Sequence, residues 1–366
     1  MNRINNHNPL FHISKRSAMP WQKRWLVRAA AILLAMIFCG LLTMILTGLD
    51  PIGVYKTIFE GSFGSSRRMW VLCQNIAMLL IASLAVTPAF KMQFWNIGAE
   101  GQMLIGGLAC TACMILLGGK LPNALLILIM FVASVAAGAV WGLIPAIFKV
   151  RYNTNETLFT LMMNYVAIQL CAYYIIVWEV PKGAGKIGII NQSTHAGWLP
   201  MIGTQKYLLN IIVVAIVTVL MFIYLKTTKH GYEIAVVGQS ESTARYVGIK
   251  VGRVVLRTML LSGAICGLGG MLLVAGSEHT LTTSITSGNG FTAVMVSWLA
   301  KFNPIFMIFA SFLIVFLQRG AGQIATDYGL SQSFGDLITG IILFFVIGCE
   351  FFIEYKINFR KSGKAE

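Results

Sequence analysis

The sequence is dominated by ten apolar segments, most of them long enough to cross a lipid bilayer. A transmembrane α-helix needs about 20 predominantly apolar residues to cross a hydrocarbon core of about 30 Å. The segment near 291–300 is only about half that long, which predicts a half-helix or a re-entrant piece buried against protein. We therefore expect an all-α polytopic membrane protein with about ten transmembrane helices, one of them short or re-entrant. The segments cover approximately residues 26–49, 71–90, 97–118, 124–148, 161–178, 208–225, 259–277, 291–300, 305–324 and 335–353.

The composition supports a lipid environment. Of the 366 residues, 57% are hydrophobic and 11% are charged, whereas a soluble domain has roughly 25% charged residues. The net charge of +15 does not indicate a nucleic-acid partner, because the Lys and Arg residues lie between the apolar segments and form no single patch. We expect a cytoplasmic N-terminal segment at 1–25, a transmembrane domain at 26–353 and a cytoplasmic tail at 354–366.

The distribution of Lys and Arg predicts the orientation of the chain. With the N-terminus inside, 20 of the 28 basic residues fall on the inner side and 8 on the outer side. Cytoplasmic loops carry the excess of basic residues, so both termini are expected in the cytoplasm. Two loops are longer than the others: an external loop at 179–207, whose Pro and Gly residues predict a folded-back loop, and an internal loop at 226–258.

The sequence offers no constellation for catalysis or for a cofactor. It contains neither paired catalytic carboxylates nor HExxH, and its five His residues are scattered. A literal GxGxxG at Gly183–Gly188 follows Pro181 in the external loop and lacks the strand and helix of a dinucleotide site. No P-loop sequence occurs, so the chain has no ATP site of its own, and Cys110 and Cys113 are interpreted as packing residues like the other five Cys. We therefore expect a transport protein, not an enzyme, with no metal site.

A few polar residues stand beside or within the apolar segments. Ionisable groups are costly in a bilayer and by default face the bundle interior or a water-filled path. Two interpretations stay open for Asn96 and Glu100, which are four residues apart on one expected helix face: capping with interhelical hydrogen bonding, or contact with a solute. The candidates for the solute path are Asn96, Glu100, Gln102, Asn155, Glu156 and Asn164.

The internal loop contains signals for a short helix. Ser240 is a good N-cap, Glu241 in the first turn faces the positive end of the helix dipole, and Gly248 is a natural C-terminal stop. The pattern predicts a short helix on the cytoplasmic side. A helix this short is not stable alone, so it must pack against the rest of the protein or against a partner.

Several of these motifs resemble one family. The segment Phe94–Met103 contains the sequence NIGAEGQ, which resembles a signature of permease subunits of ABC importers in the branched-chain amino acid, ribose and simple-sugar class. The internal loop is similar to the family segment that forms the coupling helix seated on the ATPase. It departs from the family pattern at Ile234, where the family has Arg, and at Ser240–Ala244, where the family has Asn-Pro-x-Ala-Ala.

Two further motifs carry the resemblance, which covers roughly residues 47–350. The run Ser287–Ala293, followed by Asn303-Pro304, is similar to a Gly-Phe and Asn-Pro pair of the same family. Asn155-Glu156-Thr157, with the run from Met162 to Tyr165, is similar to the pattern of the nucleoside (guanosine/uridine) branch.

The resemblance implies a lipid-embedded permease in the bacterial plasma (inner) membrane. Its expected partners are two ABC ATPase subunits that bind the ATP, a second permease of the same or a related chain, and an extracytoplasmic substrate-binding lipoprotein. The expected solute is a nucleoside, with simple sugars or ribose as the alternative within the class. An ATP-independent secondary transporter, with Glu100 as its titratable group, is the alternative outside it. Coupling to the ATPases is expected at Gly231, Tyr232, Gly238, Gln239, Ser240, Glu241, Ala244, Arg245 and Gly248.

Overall fold

The computed structural model describes residues 11–16, 19–203 and 205–359. The predicted cytoplasmic residues 1–10 and 360–366 lie outside the described residues. The described residues form two compact units: unit 1 contains those up to Ser65 and those from Phe316 onward, and unit 2 contains those from Ser66 to Val315. The elements are β1 (Phe11–Lys15), α1 (Trp21–Thr47), α2 (Pro51–Phe63), α3 (Ser66–Lys91), α4 (Ala99–Leu117), α5 (Asn123–Tyr152), α6 (Glu156–Trp178), α7 (Leu208–Thr227), α8 (Lys229–Gln239), α9 (Glu241–Tyr246), α10 (Val251–Leu273), a π-helical turn (Val274–Glu278), α11 (Asn289–Leu299), α12 (Pro304–Asp327), α13 (Gln332–Glu354) and β2 (Tyr355–Phe359).

Nine helices in the described part of the chain are long and apolar enough to cross a membrane. They correspond to nine of the ten predicted segments. The tenth, predicted near 291–300, is α11, whose 11 residues rise only about 16 Å. The all-α polytopic fold class and its short tenth segment are therefore confirmed.

The apolar pattern does not predict α2, which is too short and too polar to count as a span. A local signal for it exists, because the Asp50 side chain caps its first turn and Pro51 occupies its first position. The helix buries Val54 and Ile58 within unit 1. Helices of this kind need tertiary packing to be stable, which hydropathy alone does not reveal.

Unit 2 is built around α10, which packs against α3, α4 and α5. Glycines allow very close backbone contact there: an added Cβ at Gly106 would lie 2.4 Å from Gly267 Cα, and one at Gly263 would lie 2.2 Å from the Gly138 carbonyl oxygen. In lipid there is little hydrophobic force between helices, so packing through small residues holds them together. These glycines fix α10 as the centre of the bundle.

After α10 the chain turns back into the bundle. His279 takes a left-handed backbone conformation, and its ring stacks on Trp198 of the loop 179–207 with 3.7 Å between ring centroids. At the far end of α11, Trp298 stacks on Trp95, which follows α3. Residues 279–299 therefore cross unit 2 as an irregular segment followed by a half-helix. This is a tenth, discontinuous crossing.

The loop 179–207 folds back on the bundle as turns. Its Glu179 carboxylate accepts hydrogen bonds from the backbone N–H groups of Gly183 and Gly185, both at 2.7 Å, and these bonds hold the pKa of Glu179 below its ordinary value. The Leu199 N–H donates to the Ala275 carbonyl oxygen at 3.0 Å, which attaches the loop to the π-helical turn that follows α10. The backbone N–H groups of Gly183 and Gly185, the first two glycines of the GxGxxG match, therefore bind a carboxylate of the same loop.

Unit 1 brings the two ends of the described chain together. Strands β1 and β2 pair antiparallel, and the Arg28 guanidinium of α1 lies 2.7 Å from the Glu350 carboxylate of α13. The two ends of the described chain, at Phe11 and Phe359, therefore lie on the same side of unit 1. The assignment of that side to the cytoplasm stays a prediction.

Candidate functional site

Glu100 lies where the half-helix α11 begins. Its buried carboxylate accepts hydrogen bonds from the backbone N–H groups of Gly288 at 3.1 Å and Gly290 at 2.7 Å, and from the Thr286 hydroxyl. The first N–H groups of a helix have no partner within the helix and carry its positive dipole end. Glu100 satisfies them, so it fastens the half-helix to α4.

Gly290 makes this junction possible. A Cβ at this position would lie 2.3 Å from the Glu100 backbone nitrogen and 2.7 Å from the Glu100 Cα. Any larger side chain would separate α11 from α4. The similarity in sequence around Ser287–Ala293 therefore has a structural reason at Gly290, which is the close approach of two helix N-termini.

The segment before α4 is held by carboxamide side chains. Asn96 donates to the Ser262 hydroxyl of α10 at 3.1 Å, and its oxygen accepts from Gln102 at 3.2 Å. Asn164 of α6 accepts from the Gly101 N–H at 2.8 Å and donates to the Ile97 carbonyl oxygen at 2.9 Å. These bonds join α4, α6 and α10 around one non-helical segment.

The expectation that Asn96 and Glu100 share one helix face was wrong. The helix α4 begins at Ala99, and Asn96 lies in the preceding segment. The Asn96 oxygen also accepts from the Gly98 N–H at 3.0 Å. A side-chain amide that binds nearby backbone in this way competes with helix formation, which explains why the helix starts later than the apolar pattern suggests.

Asn155 and Glu156 take other positions, at the turn between α5 and α6. Asn155 caps α6, accepting from the N–H groups of Thr157 and Leu158, and Glu156 forms an ion pair with Lys149 at 2.9 Å. Of the six candidates for the solute path, Asn96, Glu100, Gln102 and Asn164 therefore form one buried cluster with the start of α11. Asn155 and Glu156 lie at the start of α6 instead.

The internal loop forms two short helices, α8 and α9. The predicted helix is present as α9, with Ser240 accepting from the Thr243 N–H at 3.2 Å, and Gly248 takes the left-handed conformation that ends it. The preceding helix α8 was not predicted. Thr228 caps it, accepting from the Gly231 N–H at 3.1 Å.

The two helices have an inner and an outer side. Gly231, Gly238 and Ala244 are buried, and an added Cβ at Gly238 would lie 2.1 Å from the Lys91 carbonyl oxygen at the end of α3. The other predicted coupling residues are not buried, and Tyr246 beside them is 92% exposed. The outward residues are Tyr232, Gln239, Ser240, Glu241, Arg245 and Gly248.

An ion pair that sequence reasoning missed ties α8 to α10. The Arg257 guanidinium donates to the Glu233 carboxylate at 2.9 Å, and His230 Nδ1 lies 3.7 Å from the same carboxylate. The hydrogen bond from Arg257 holds the pKa of Glu233 below its ordinary value. The two partners are 24 residues apart on different helices, so local patterns give no signal beyond their opposite charges.

Reversing one charge of this pair, as Glu233→Arg or Arg257→Glu, is expected to lower ATP-driven uptake by about fivefold or more, and the double reversal is expected to restore most of it. Uptake and thermal stability of the purified transporter measure the effect. The exposed pair Lys56–Glu60 is the control, because reversing it should change little. A coupling free energy near zero in the double-mutant cycle would contradict the linkage.

The lowered pKa of Glu233 determines how the stabilisation from the Glu233–Arg257 pair changes with pH. A carboxylate whose pKa is lower in the folded state than in the unfolded state contributes its full stabilisation when the pH is above the unfolded-state pKa. This stabilisation is lost as the pH falls through the folded-state pKa. The contribution of Glu233 should therefore be constant through neutral pH and disappear only in acid.

Fold and site together define a class: a polytopic membrane transport subunit with a half-helix fastened inside its bundle and a pair of short helices at one end. The profile of the family described as "Branched-chain amino acid transport system / permease component" matches residues 72–347. The chain belongs to this family and is a membrane permease subunit of an ABC importer, the transmembrane component and not the ATPase.

Three relatives are similar over most of their length. The guanosine ABC transporter permease protein NupP of Bacillus subtilis is 30% identical and is matched over 88% of this chain and 92% of the relative. The nucleoside ABC transporter permease protein NupB of Lactococcus lactis is 29% identical over 91% and 94%. The glucose ABC transporter permease protein TsgB13 of Haloferax volcanii is 28% identical over 91% and 90%.

Proposed function

We propose that this chain carries nucleosides across the plasma membrane of a bacterium, as one permease of an ABC importer. The names of NupP and NupB, which are similar to this chain over about nine-tenths of their length, support the substrate class. Simple sugars are the alternative, favoured by the similarity to TsgB13. In this assembly the chain works with two ATPase subunits, a second permease and an extracytoplasmic binding lipoprotein, and has no enzymatic activity of its own.

The contact between α8 and the end of α3 supports the ATP-coupled part of the proposal. Gly238 lies directly on Lys91 and Met92. The chain continues from there to Asn96, and then to Glu100, which holds the start of α11. A displacement of α8 is therefore passed within nine residues of chain to the half-helix inside the bundle.

The mechanism follows from this arrangement. ATP closes the two partner ATPases, and their motion reaches the outward side of α8 and α9. The Glu233–Arg257 pair passes the same motion to α10. Since α10 packs on α4 and α5 through backbone contacts, the helices move as packed bodies, and access to the solute switches from outside to inside.

Uptake of labelled guanosine, uridine and ribose tests this function. The complete transporter is expressed in cells without their own nucleoside importers, with and without this chain, and with a partner ATPase that cannot hydrolyse ATP. We expect nucleoside uptake only when both this chain and the active ATPase are present. Uptake that persists with the inactive ATPase contradicts ATP coupling, and uptake of ribose alone contradicts the substrate class.

A further inference from the structure

The irregular segment between His279 and α11, which lies between two helices of the bundle, exposes hydroxyl groups. Thr282, Ser284 and Ser287 are exposed, while the preceding Leu281 and the intervening Thr286 are buried. Irregular backbone and polar side chains do not face lipid, because nothing in the hydrocarbon core can satisfy their hydrogen bonds. Such backbone is tolerated only against protein or beside a water-filled cavity.

The half-helix continues this surface with apolar and aromatic side chains. Phe291, Met295 and Trp298 are exposed and lie on one face of α11, at i, i+4 and i+7. Trp298 is 48% exposed and stacks on Trp95, which is 44% exposed, with 5.7 Å between ring centroids and 22° between the planes. The stacked pair presents a broad aromatic surface at the end of the half-helix.

We infer that the hydroxyl segment and this face of α11 form one wall of the solute path, and that the wall binds a solute with a hydroxyl-rich part and a planar aromatic part. The inference rests on the proposed function and deepens it. Hydroxyl groups at 282–287 bind the hydroxyls of a sugar ring, and the exposed ring of Phe291, one helical turn beyond Ser287, contacts a planar base. The Trp95–Trp298 pair lies about 16 Å farther along α11 from Ser287 and stacks on the base at a second position along the path. A nucleoside has both parts, whereas a simple sugar would use only the first.

The position of Glu100 fits this wall. Its carboxylate binds the backbone of Gly288 and Gly290 directly behind the exposed Ser287. Glu100 thus positions the junction between the hydroxyl segment and the aromatic face without facing the solute. In transporters, solute sites near the midplane are often built at the N-termini of such discontinuous helices.

Cysteine labelling tests whether the wall faces water. In a transporter whose native Cys residues are replaced by Ser, Ser287→Cys is treated in membrane vesicles with a charged, impermeant methanethiosulfonate added to both faces. The matched control is Val132→Cys on α5, which is 58% exposed on an apolar helix surface. We expect modification at 287 and none at 132, where only an apolar maleimide should react. No modification at 287 overturns the inference.

Ligand protection and kinetics test the chemistry of the wall. Guanosine should slow labelling of Ser287→Cys more strongly than ribose does. Trp298→Ala should raise KM for nucleosides by about tenfold or more, and Trp298→Phe should restore most of the affinity. Equal protection by ribose, or an unchanged KM in Trp298→Ala, overturns the aromatic part of the inference.

The failure of the inference and the failure of the proposed function give different results. If nucleoside uptake is ATP-driven but position 287 is inaccessible, the wall lies elsewhere and the function stands. If position 287 is labelled but wild-type cells take up no nucleoside, the path stands and the proposed substrate is wrong.

Discussion

Replacing Gly238 with Leu is expected to reduce ATP-driven uptake by more than about tenfold while the protein remains in the membrane. The added side chain has no room, since even its Cβ would lie 2.1 Å from the Lys91 carbonyl oxygen and 3.3 Å from the Met92 Cα. The helix α8 must therefore move away from the end of α3. The contact that passes motion toward Glu100 is then lost, although the transmembrane packing is untouched.

The measurement compares uptake, ATPase activity and membrane protein level in the same cells. Gly238→Ala should give a smaller loss, because it adds only the Cβ. Gly340→Leu is the matched control, since a Cβ at this helical glycine meets no atom within 4 Å. Normal uptake by Gly238→Leu at a normal protein level would show that α8 is not part of the coupling path.

Replacing Glu100 with Ala is expected to abolish most uptake and to lower the thermal stability of the purified transporter. The N–H groups of Gly288 and Gly290 and the Thr286 hydroxyl would lose their partner in a buried site. Each unsatisfied buried group costs about 1–3 kcal/mol, so the half-helix would lose several kcal/mol of stabilisation. The released half-helix could no longer follow the motion of α4.

The thermal midpoint in detergent and the rate of uptake measure this effect. Glu100→Gln should be intermediate, because its amide oxygen still accepts one of the N–H donors. Glu60→Ala removes a carboxylate from an exposed ion pair on α2 and should change the midpoint little. A wild-type midpoint in Glu100→Ala would contradict the role of this carboxylate in fastening α11.

The two predictions concern successive parts of one pathway. Gly238 connects α8 to the end of α3, and Glu100 connects the start of α4 to α11. Between them lies the segment held by Asn96, which also reaches α10 through Ser262. If both predictions hold, nine residues of chain connect the solute path to the surface formed by α8 and α9. No series of distant contacts is then needed.

The sequence by itself determined the membrane class and the approximate positions of the spanning helices. A span must satisfy all of its backbone hydrogen bonds within one helix, so length and hydropathy within a single segment are sufficient evidence. The helix α9 was also predictable, because Ser240 and Gly248 act on backbone only a few residues away. The short tenth segment was recognisable for the same local reason.

Only the tertiary structure decided what the polar residues do. Glu100 meets Thr286 across 186 residues and Gly290 across 190, and Asn96 meets Ser262 across 166. Hydropathy shows that a segment is buried in lipid or protein, but it does not show how each helix is rotated or which helix lies next to it. Those properties arise from close packing between segments, chiefly at glycines such as Gly290, where the absence of a side chain lets two helix ends meet.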